Sequence, residues 1–165
     1  MQLTSTHTFD APIDDVWAMF ADPASHLAKF DSMGHREIEV LTEEHGDDSL
    51  RLVVSRVVDA ELPGFAKRVL SPSNTVVSDD RWHRDEDGTC SGTFTVETKG
   101  APVTGRGTTR LVPEGDDRTH YEVTVEVEVK VPLVGGRIAD WSKGEIAQQF
   151  EAEFAAGDAW LAEHG

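Results

Sequence analysis

The stretch YEVTVEVEVKVPLVGGRIADW, residues Tyr121 to Trp141, alternates strictly and then breaks at Pro-Leu-Val-Gly-Gly. Alternation at every second residue predicts a half-buried strand, with Tyr121 and the odd-numbered valines on one face and mainly polar side chains on the other. Pro132 cannot continue the hydrogen-bonded ladder, and Gly135 and Gly136 permit a sharp reversal of the chain. The segment that follows is therefore expected to fold back over the valine face.

That segment predicts a long amphipathic helix over residues 137–163. A helix of this length spans about 40 Å, which is enough to lie across a whole sheet. Its apolar face carries Ala139, Ile146, Phe150, Phe154, Gly157 and Leu161, with Trp160 at the edge. We expect this face to pack on the valine face of the last strand.

The rest of the chain predicts one strand, two short helices and six further strands. Residues 2–9 alternate, with Leu3, Ser5, His7 and Phe9 on one face. A first helix follows with Asp10 as N-cap, and a second begins after Asp22-Pro23 and ends at Gly34. Period-two patterning between residues 36 and 131 predicts a meander formed by REIEVLTEE, SLRLVVSRVVD, NTVVSDDRWHRD, TCSGTFTVETKG, TGRGTTRLVP and THYEVTVEVEVKV.

The predicted fold class is α+β, in one domain over residues 1–165. A seven-stranded, curved antiparallel sheet grips the long C-terminal helix, and two short helices follow strand 1. The irregular segment AELPGFAKRVLSPS lies between two strands of the meander. Whether it gates access to the sheet is left open by the sequence.

The charge of the chain restricts its partners. The 165 residues include 15 Lys plus Arg against 31 Asp plus Glu, a formal net charge of −16. Such a surface repels nucleic-acid backbones and anionic lipid headgroups, so we expect neither nucleic-acid binding nor stable membrane anchoring. With a single cysteine, Cys90, no basic and apolar leader and no long apolar run, the sequence predicts a soluble, cytoplasmic protein.

Common catalytic and metal-binding motifs do not occur in the sequence. The seven histidines show neither HxH nor HExxH spacing, and Cys90 belongs to no CxxC pair. No GxSxG, no phosphate-binding GxxxxGK[ST] and no dinucleotide-binding GxGxxG is found; the GRG at 105–107 lies within a predicted strand. We predict that the protein holds no metal and no cofactor, and we assign no catalytic residue.

The order of elements resembles the START-like, or SRPBCC, superfamily, which includes the birch-pollen-allergen fold and polyketide cyclases. The phrases LPGFAKRVL, SGTFTVETKGAPVTGRGTTRLVPEGD, VEVKVPLVGGRI and WLAEHG are similar to a bacterial family within it, known only as a domain of unknown function. The resemblance implies a curved sheet around the C-terminal helix, often with a cavity between them. Members carry lipids, sterols, hormones or polyketides, and others are cyclases.

Eight residues are candidates for ligand contact: His7, Trp82, Val123, Val125, Val127, Phe150, Phe154 and Gly157. Several of them have a simpler structural explanation. Packing under a helix suffices for the valines, Gly157 could admit a bulky neighbour rather than a ligand, and His7 could be satisfied by a neighbouring backbone group or hydroxyl. In DDRWHRD, a one-residue change of register decides whether Asp80 and Trp82, or instead Asp79, Arg81 and His83, face inward.

The leading hypothesis is a binding protein for a hydrophobic small molecule or lipid held between the sheet and the C-terminal helix. The first alternative is a polyketide cyclase- or dehydratase-like enzyme. It requires His7, or an inward Asp80, Arg81 or His83, within hydrogen-bond reach of another polar group in an open cavity. The second alternative is a solidly packed, acidic protein-interaction or stress-related domain, against which a void above about 300 Å³ would count.

Overall fold

The computed structural model describes all residues, Met1–Gly165. The chain forms seven strands and three helices in the predicted order. Their bounds are β1 Gln2–Phe9, α1 Ile13–Ala21, α2 Pro23–Ser32, β2 Arg36–Gly46, β3 Ser49–Asp59, β4 Ser73–Arg84, β5 Cys90–Thr98, β6 Val103–Glu114, β7 Arg118–Val129 and α3 Gly135–His164.

All seven strands belong to one antiparallel sheet in the order β1-β7-β6-β5-β4-β3-β2. The last six strands form the predicted meander, and β1 pairs with β7, where Ser5 lies opposite Val123. Two register shifts in the edge strand β2 mark bulges, which bend and twist a strand. The result is a curved sheet with one concave face.

The helix α3 lies across this concave face. Val123, Val125 and Val127 of β7 are buried, as are Phe150 and Phe154 of α3. The same core includes inward-facing leucines of β3 and residues of α1 and α2. The predicted fold class, a sheet that grips a long C-terminal helix, is confirmed.

The structure corrects two details of the helix termini. α1 has Pro12 in the N-cap position without a side-chain cap, whereas Asp10 is exposed and its Oδ1 lies 3.7 Å from Nε of Arg118. Asp10 therefore lies too early in the chain to reach the first free amides. α3 begins at Gly135, so its first turn includes both glycines that were expected to form the reversal.

The termini of α2 agree with the sequence prediction. The Asp22 side chain accepts a hydrogen bond from the Ala24 amide at 3.0 Å, with Pro23 in the first turn. Gly34 follows the helix with φ of +81°, a conformation that suits glycine. This turn places α2 at one end of the concave face, where it contacts α3.

Two further properties concern the whole chain. None of the helices combines the length and apolar character that crossing a membrane requires. No three His, Cys, Asp or Glu side chains come together as a metal-binding group.

Candidate ligand-binding site

A cavity of about 260 Å³ lies between the concave face of the sheet and α3. Inward-facing side chains of β3 to β7 form its floor, and Trp141, Ile146 and Phe150 of α3 form its roof. One end is closed by α2 and Phe20. The other is bordered by Leu62 and Leu70, from the segment between β3 and β4.

The volume is slightly below the 300 Å³ at which ligand pockets typically begin. Size alone therefore does not exclude a solidly packed domain. The lining is more informative, because an apolar surface is combined with charged and hydroxyl groups that face the same space. These groups, rather than the volume, distinguish the space from a plain hydrophobic core.

Five of the eight candidate residues line this cavity: Trp82, Val123, Val125, Val127 and Phe150. Phe154 and Gly157, one turn further along α3, border a separate space of about 30 Å³ together with Phe9 and Met19. That space is too small for an organic ligand. His7 lines neither of the two spaces.

His7 is instead held against α3. Its Nε2 lies 3.0 Å from Oδ1 of Asp158, and its ring stacks on Phe154 with ring centroids 4.8 Å apart. Because β1 is the edge strand beside β7, its inward residues meet the C-terminal half of the helix rather than the cavity. His7 is thus paired with a carboxylate of α3, not with the backbone group or hydroxyl of its simpler explanation, and it does not line the cavity.

Gly157 is a site of close packing. A Cβ atom at this position would come within 2.8 Å of Cε1 and 3.2 Å of Cζ of Phe9, and 3.5 Å of the terminal methyl of Met19. Glycine therefore lets the Phe9 ring approach the helix backbone. The space beside Gly157 is occupied by the Phe9 and Met19 side chains and is not available to a ligand.

The register of β4 is now defined. Ser78, Asp80 and Trp82 face the cavity, whereas Asp79, Arg81 and His83 face outward. On the outer face, Asp79 accepts from Arg51 at 3.1 Å, and His83 lies 2.5 Å from Asp85. Of the four titratable residues left open by the sequence, only Asp80 belongs to the site.

Two glycines of β6 differ in what they face. At Gly107, a Cβ would lie 2.0 Å from the Thr124 carbonyl oxygen and 2.6 Å from Cζ of Phe94, so this glycine permits the curvature of the floor. At Gly105, a Cβ would meet Val125 at 3.6 Å, which is ordinary van der Waals contact, and the position opens onto the cavity. Gly105 is therefore a place where an added side chain would fill the site.

Two acidic groups and a phenol face the cavity without partners in the chain. Asp80, Tyr121 and Glu153 all line it, and their side chains make no hydrogen bond. Burial raises the pKa of Asp80 to about 6, opposed by Lys29 and Arg56. Burial, with the nearby Glu153 and Asp80 carboxylates, also raises the pKa of Tyr121 well above its usual value. Every fully buried polar side-chain atom has a hydrogen-bond partner, so the unpartnered polar atoms of these three residues contact open space, and all three residues line the cavity.

Two cations share one aromatic ring at the α2 end of the cavity. The Arg56 guanidinium carbon lies 3.9 Å from the centroid of Phe30, and Nζ of Lys29 lies 4.7 Å from it. Arg56 donates from Nε to Nδ1 of His35 at 3.1 Å and from Nη1 to the Ser78 hydroxyl at 2.8 Å. Burial, together with Arg56 and Lys29, lowers the pKa of His35 to about 4, so this ring is a neutral acceptor at physiological pH.

His26 closes the same end as an uncharged group. Its Nε2 donates to the Phe20 carbonyl oxygen at 2.7 Å. Burial is the main cause that lowers the pKa of His26 to about 3, with a smaller contribution from Lys29. The end wall is therefore held in place by a neutral histidine.

Sequence reasoning did not select Arg56, Lys29, Tyr121 or Glu153. A signal for Arg56 was nevertheless present, because it shares the face of Leu50, Leu52 and Val54 on β3 and is the only charged residue among them. Charged side chains are seldom fully buried unless they are paired, so an arginine on an apolar strand face indicates a special environment. Glu153 had a weaker signal, since it lies beside Phe154 on the apolar side of α3.

Solved structures share this architecture over nearly the whole chain. An aromatase/cyclase, Zhui from Streptomyces sp. R1128, is 19% identical with a TM-score of 0.68, over 98% of this chain and 93% of its own. A START superfamily protein from Mycobacterium smegmatis is 16% identical with a TM-score of 0.58, over 99% of both chains. Ara h 8.0201 is 13% identical with a TM-score of 0.66, also over 99% of both.

The chain thus has the helix-grip fold of these solved structures, a curved antiparallel sheet around a long C-terminal helix. Within that fold class, the chain belongs to the DUF2505 family, described as a protein of unknown function, whose model matches residues 4–161. A comparison with curated proteins found no match. Fold and family therefore leave the function to be argued from the site.

Proposed function

We propose that this protein binds a hydrophobic small molecule, or the apolar part of a lipid, between the sheet and α3. The observation that carries the proposal is the cavity of about 260 Å³, lined by buried valines and aromatic rings and by a few polar groups without partners. Ligand pockets combine a mainly apolar wall with a small number of polar groups that fix orientation. The shared fold of a START superfamily protein supports the proposal by analogy.

The polar groups matter for affinity. A ligand that buries about 200 Å² of apolar surface gains roughly 5 kcal/mol from the hydrophobic effect. Micromolar binding requires about 8 kcal/mol after the cost of association is met. Apolar contact alone therefore falls short, and a ligand that also satisfies the open polar atoms of the cavity is favoured.

Filling the cavity at Gly105 tests this proposal. The probe is N-phenyl-1-naphthylamine, a neutral molecule whose fluorescence increases in apolar surroundings. Gly105→Ile should lower its affinity at least about tenfold, because the branched side chain suits a strand and occupies the cavity. Gly105→Ala is the matched control and should bind like the wild type, since its Cβ meets Val125 at 3.6 Å.

Native mass spectrometry of gently purified protein gives a second measurement. The wild type and Gly105→Ala should carry a co-purifying small molecule that Gly105→Ile lacks. Bare protein in every sample, together with no binding of the naphthylamine to the wild type, would contradict the proposal. Equal binding by the wild type and a folded Gly105→Ile would show that the probe lies elsewhere.

An acid–base enzyme is the second candidate, because a carboxyl group with pKa about 6 is suited to proton transfer near neutral pH. Binding is favoured over catalysis because Asp80 has no hydrogen-bonded partner and His7 lies outside the cavity. The ligand recovered from Asp80→Asn distinguishes the two. A binding protein yields the same molecule as the wild type, whereas a dehydratase yields one heavier by a molecule of water.

A further inference from the structure

Arg56 is a buried cation without a buried counter-ion in contact. Its side chain is 8% exposed, yet no carboxylate oxygen lies within 4.0 Å of it. Its two hydrogen-bond acceptors, His35 and Ser78, are uncharged at physiological pH. A buried charge is costly unless an opposite charge or several hydrogen bonds compensate it. Arg56 is therefore only partly satisfied by this chain.

The unsatisfied part of Arg56 faces the cavity. Nε and Nη1 are engaged, but Nη2 donates to no atom of the chain. Every fully buried side-chain nitrogen has a hydrogen-bond partner. Because Nη2 has none, it is not fully buried, and Arg56 lines the cavity. Lys29, on the same Phe30 ring, also lines it, and its ammonium forms neither an ion pair nor a hydrogen bond. Two positively charged groups with free hydrogen-bond donors are thus accessible to a ligand at one end of the apolar cavity.

The carboxylates that face the same space do not remove this preference. Asp80 and Glu153 line the cavity from β4 and α3 and make no ion pair there. Neither carboxylate lies within 4.0 Å of the Arg56 guanidinium or the Lys29 ammonium, so the donors of both cations remain available to a ligand. Arg56 is consequently the group that an anionic ligand would stabilise most, because its buried charge has no counter-ion in contact.

We infer that the ligand is an amphiphile with a single anionic group, a carboxylate, which pairs with Nη2 of Arg56 and the ammonium of Lys29 while its apolar part lies along Val125 and Val127. The inference rests on the proposed function and specifies the ligand class. A phosphate monoester fits less well, because it brings close to two negative charges beside Asp80 and Glu153. The cavity volume favours a short chain.

The test compares three ligands with the same eight-carbon chain and different head groups. Octanoate, octan-1-ol and octylamine are titrated into the protein at neutral pH by isothermal titration calorimetry. Octanoate should bind at least about tenfold more tightly than octan-1-ol, with octylamine weakest, because a charge-assisted pair in a water-poor site outweighs a neutral hydrogen bond. Equal affinities for acid and alcohol, or tighter binding of the amine, would overturn the inference.

Variants locate the charge preference. Arg56→Met keeps the apolar stem and should bring the ratio of the octanoate and octan-1-ol affinities to about one, because the charge-assisted pair is lost. Lys29→Met disrupts no hydrogen bond and should weaken octanoate about fivefold, so it provides the test if Arg56→Met fails to fold. Asp80→Asn should strengthen octanoate, because a competing negative charge is removed. Lys143→Met, an exposed position on α3, is the control and should change nothing.

The result also separates this inference from the proposed function. If octan-1-ol and the naphthylamine bind but octanoate shows no advantage, the site is real and the carboxylate assignment is wrong. If neither the three ligands nor the naphthylamine bind, both the carboxylate assignment and the proposed function are wrong. A preference for octanoate that survives in both Arg56→Met and Lys29→Met would place the anion elsewhere and contradict the inference.

Discussion

The guanidinium of Arg56 on β3 lies over the Phe30 ring of α2, with its carbon 3.9 Å from the ring centroid. The contact joins the sheet to the helix that closes the cavity, and it places a permanent positive charge inside an apolar lining. Cation–π contacts of this kind stabilise by about 1–2 kcal/mol when desolvated. The same residues therefore define both the stability of the end wall and the chemistry that a ligand meets.

Asp80→Asn should stabilise the protein at neutral pH. The folded pKa of Asp80, about 6, exceeds the ordinary value of 3.8, so ionisation above about pH 6 costs stability. The cost is on the order of 1–3 kcal/mol, and it diminishes as pH falls from about 6 towards 4 because the folded carboxyl becomes protonated.

Urea unfolding at about pH 7.5 and about pH 4.5 measures this difference. The outward neighbour provides the control: Asp79 accepts from Arg51, which lowers its pKa, so Asp79→Asn should lose stability, by less than about 1 kcal/mol. An Asp80→Asn gain of the same size at both pH values would contradict the assignment.

The wild type should lose stability as pH falls from about 6.5 towards 3, with His26 as one cause. His26 is neutral in the fold, with a pKa of about 3, whereas the unfolded chain takes up the proton near 6.5. At about pH 5 this difference amounts to roughly 2 kcal/mol. His26→Gln does not titrate, so the gap between its unfolding free energy and that of the wild type should narrow with decreasing pH. Parallel curves would exclude this role.

Gly157→Leu should lower the free energy of unfolding by about 1–3 kcal/mol, because its side chain overlaps the buried Phe9 ring. Gly144→Leu, in the same helix but with no atom within 4 Å of its Cβ, should raise it by about 0.5–1 kcal/mol through helix propensity. Thermal unfolding of both variants gives the comparison. A stable Gly157→Leu protein that has lost ligand binding would show an open site where the structure has a packed one.

Arg137→Gln should loosen the segment between β3 and β4. The Arg137 guanidinium carbon lies 4.3 Å from the centroid of Phe65, which ties this segment to the first turns of α3. Loss of a partly exposed cation–π contact should speed hydrogen exchange of the Ala66, Val69 and Leu70 amides about two- to fivefold. Arg106→Gln, an exposed position on β6, should leave these rates unchanged. Unaltered exchange in Arg137→Gln would mean that other contacts hold the segment.

Local patterns in the sequence were sufficient for the fold. The alternation from Tyr121 to Val129 and the apolar stripe through Phe150 and Phe154 are properties of single elements, and each predicted the face that is buried. Strand bounds differ from the prediction by only a residue or two, because turn residues such as Gly88 and Gly115 limit them.

The site depended on relations between distant elements. Nothing near Gly157 in the chain indicates that Phe9 packs against it, and His7 could be assigned to helix packing only once β1 was known to be the sheet edge. The inward direction of Asp80 required the register of β4. Arg56 was detectable as a charge on an apolar face, but its unpaired nitrogen appears only when α2 and the sheet are assembled.

The central claim, that sheet and helix hold a ligand between them, is tested most directly by nuclear magnetic resonance of valine methyl groups during titration with N-phenyl-1-naphthylamine. Val125 and Val127 face the cavity, whereas Val53 and Val57 lie on the outer face of β3 and serve as internal controls. The account predicts saturable shifts of the Val125 and Val127 methyl signals with little change at Val53 and Val57. Shifts confined to the outer valines, or none at saturating probe, would contradict it.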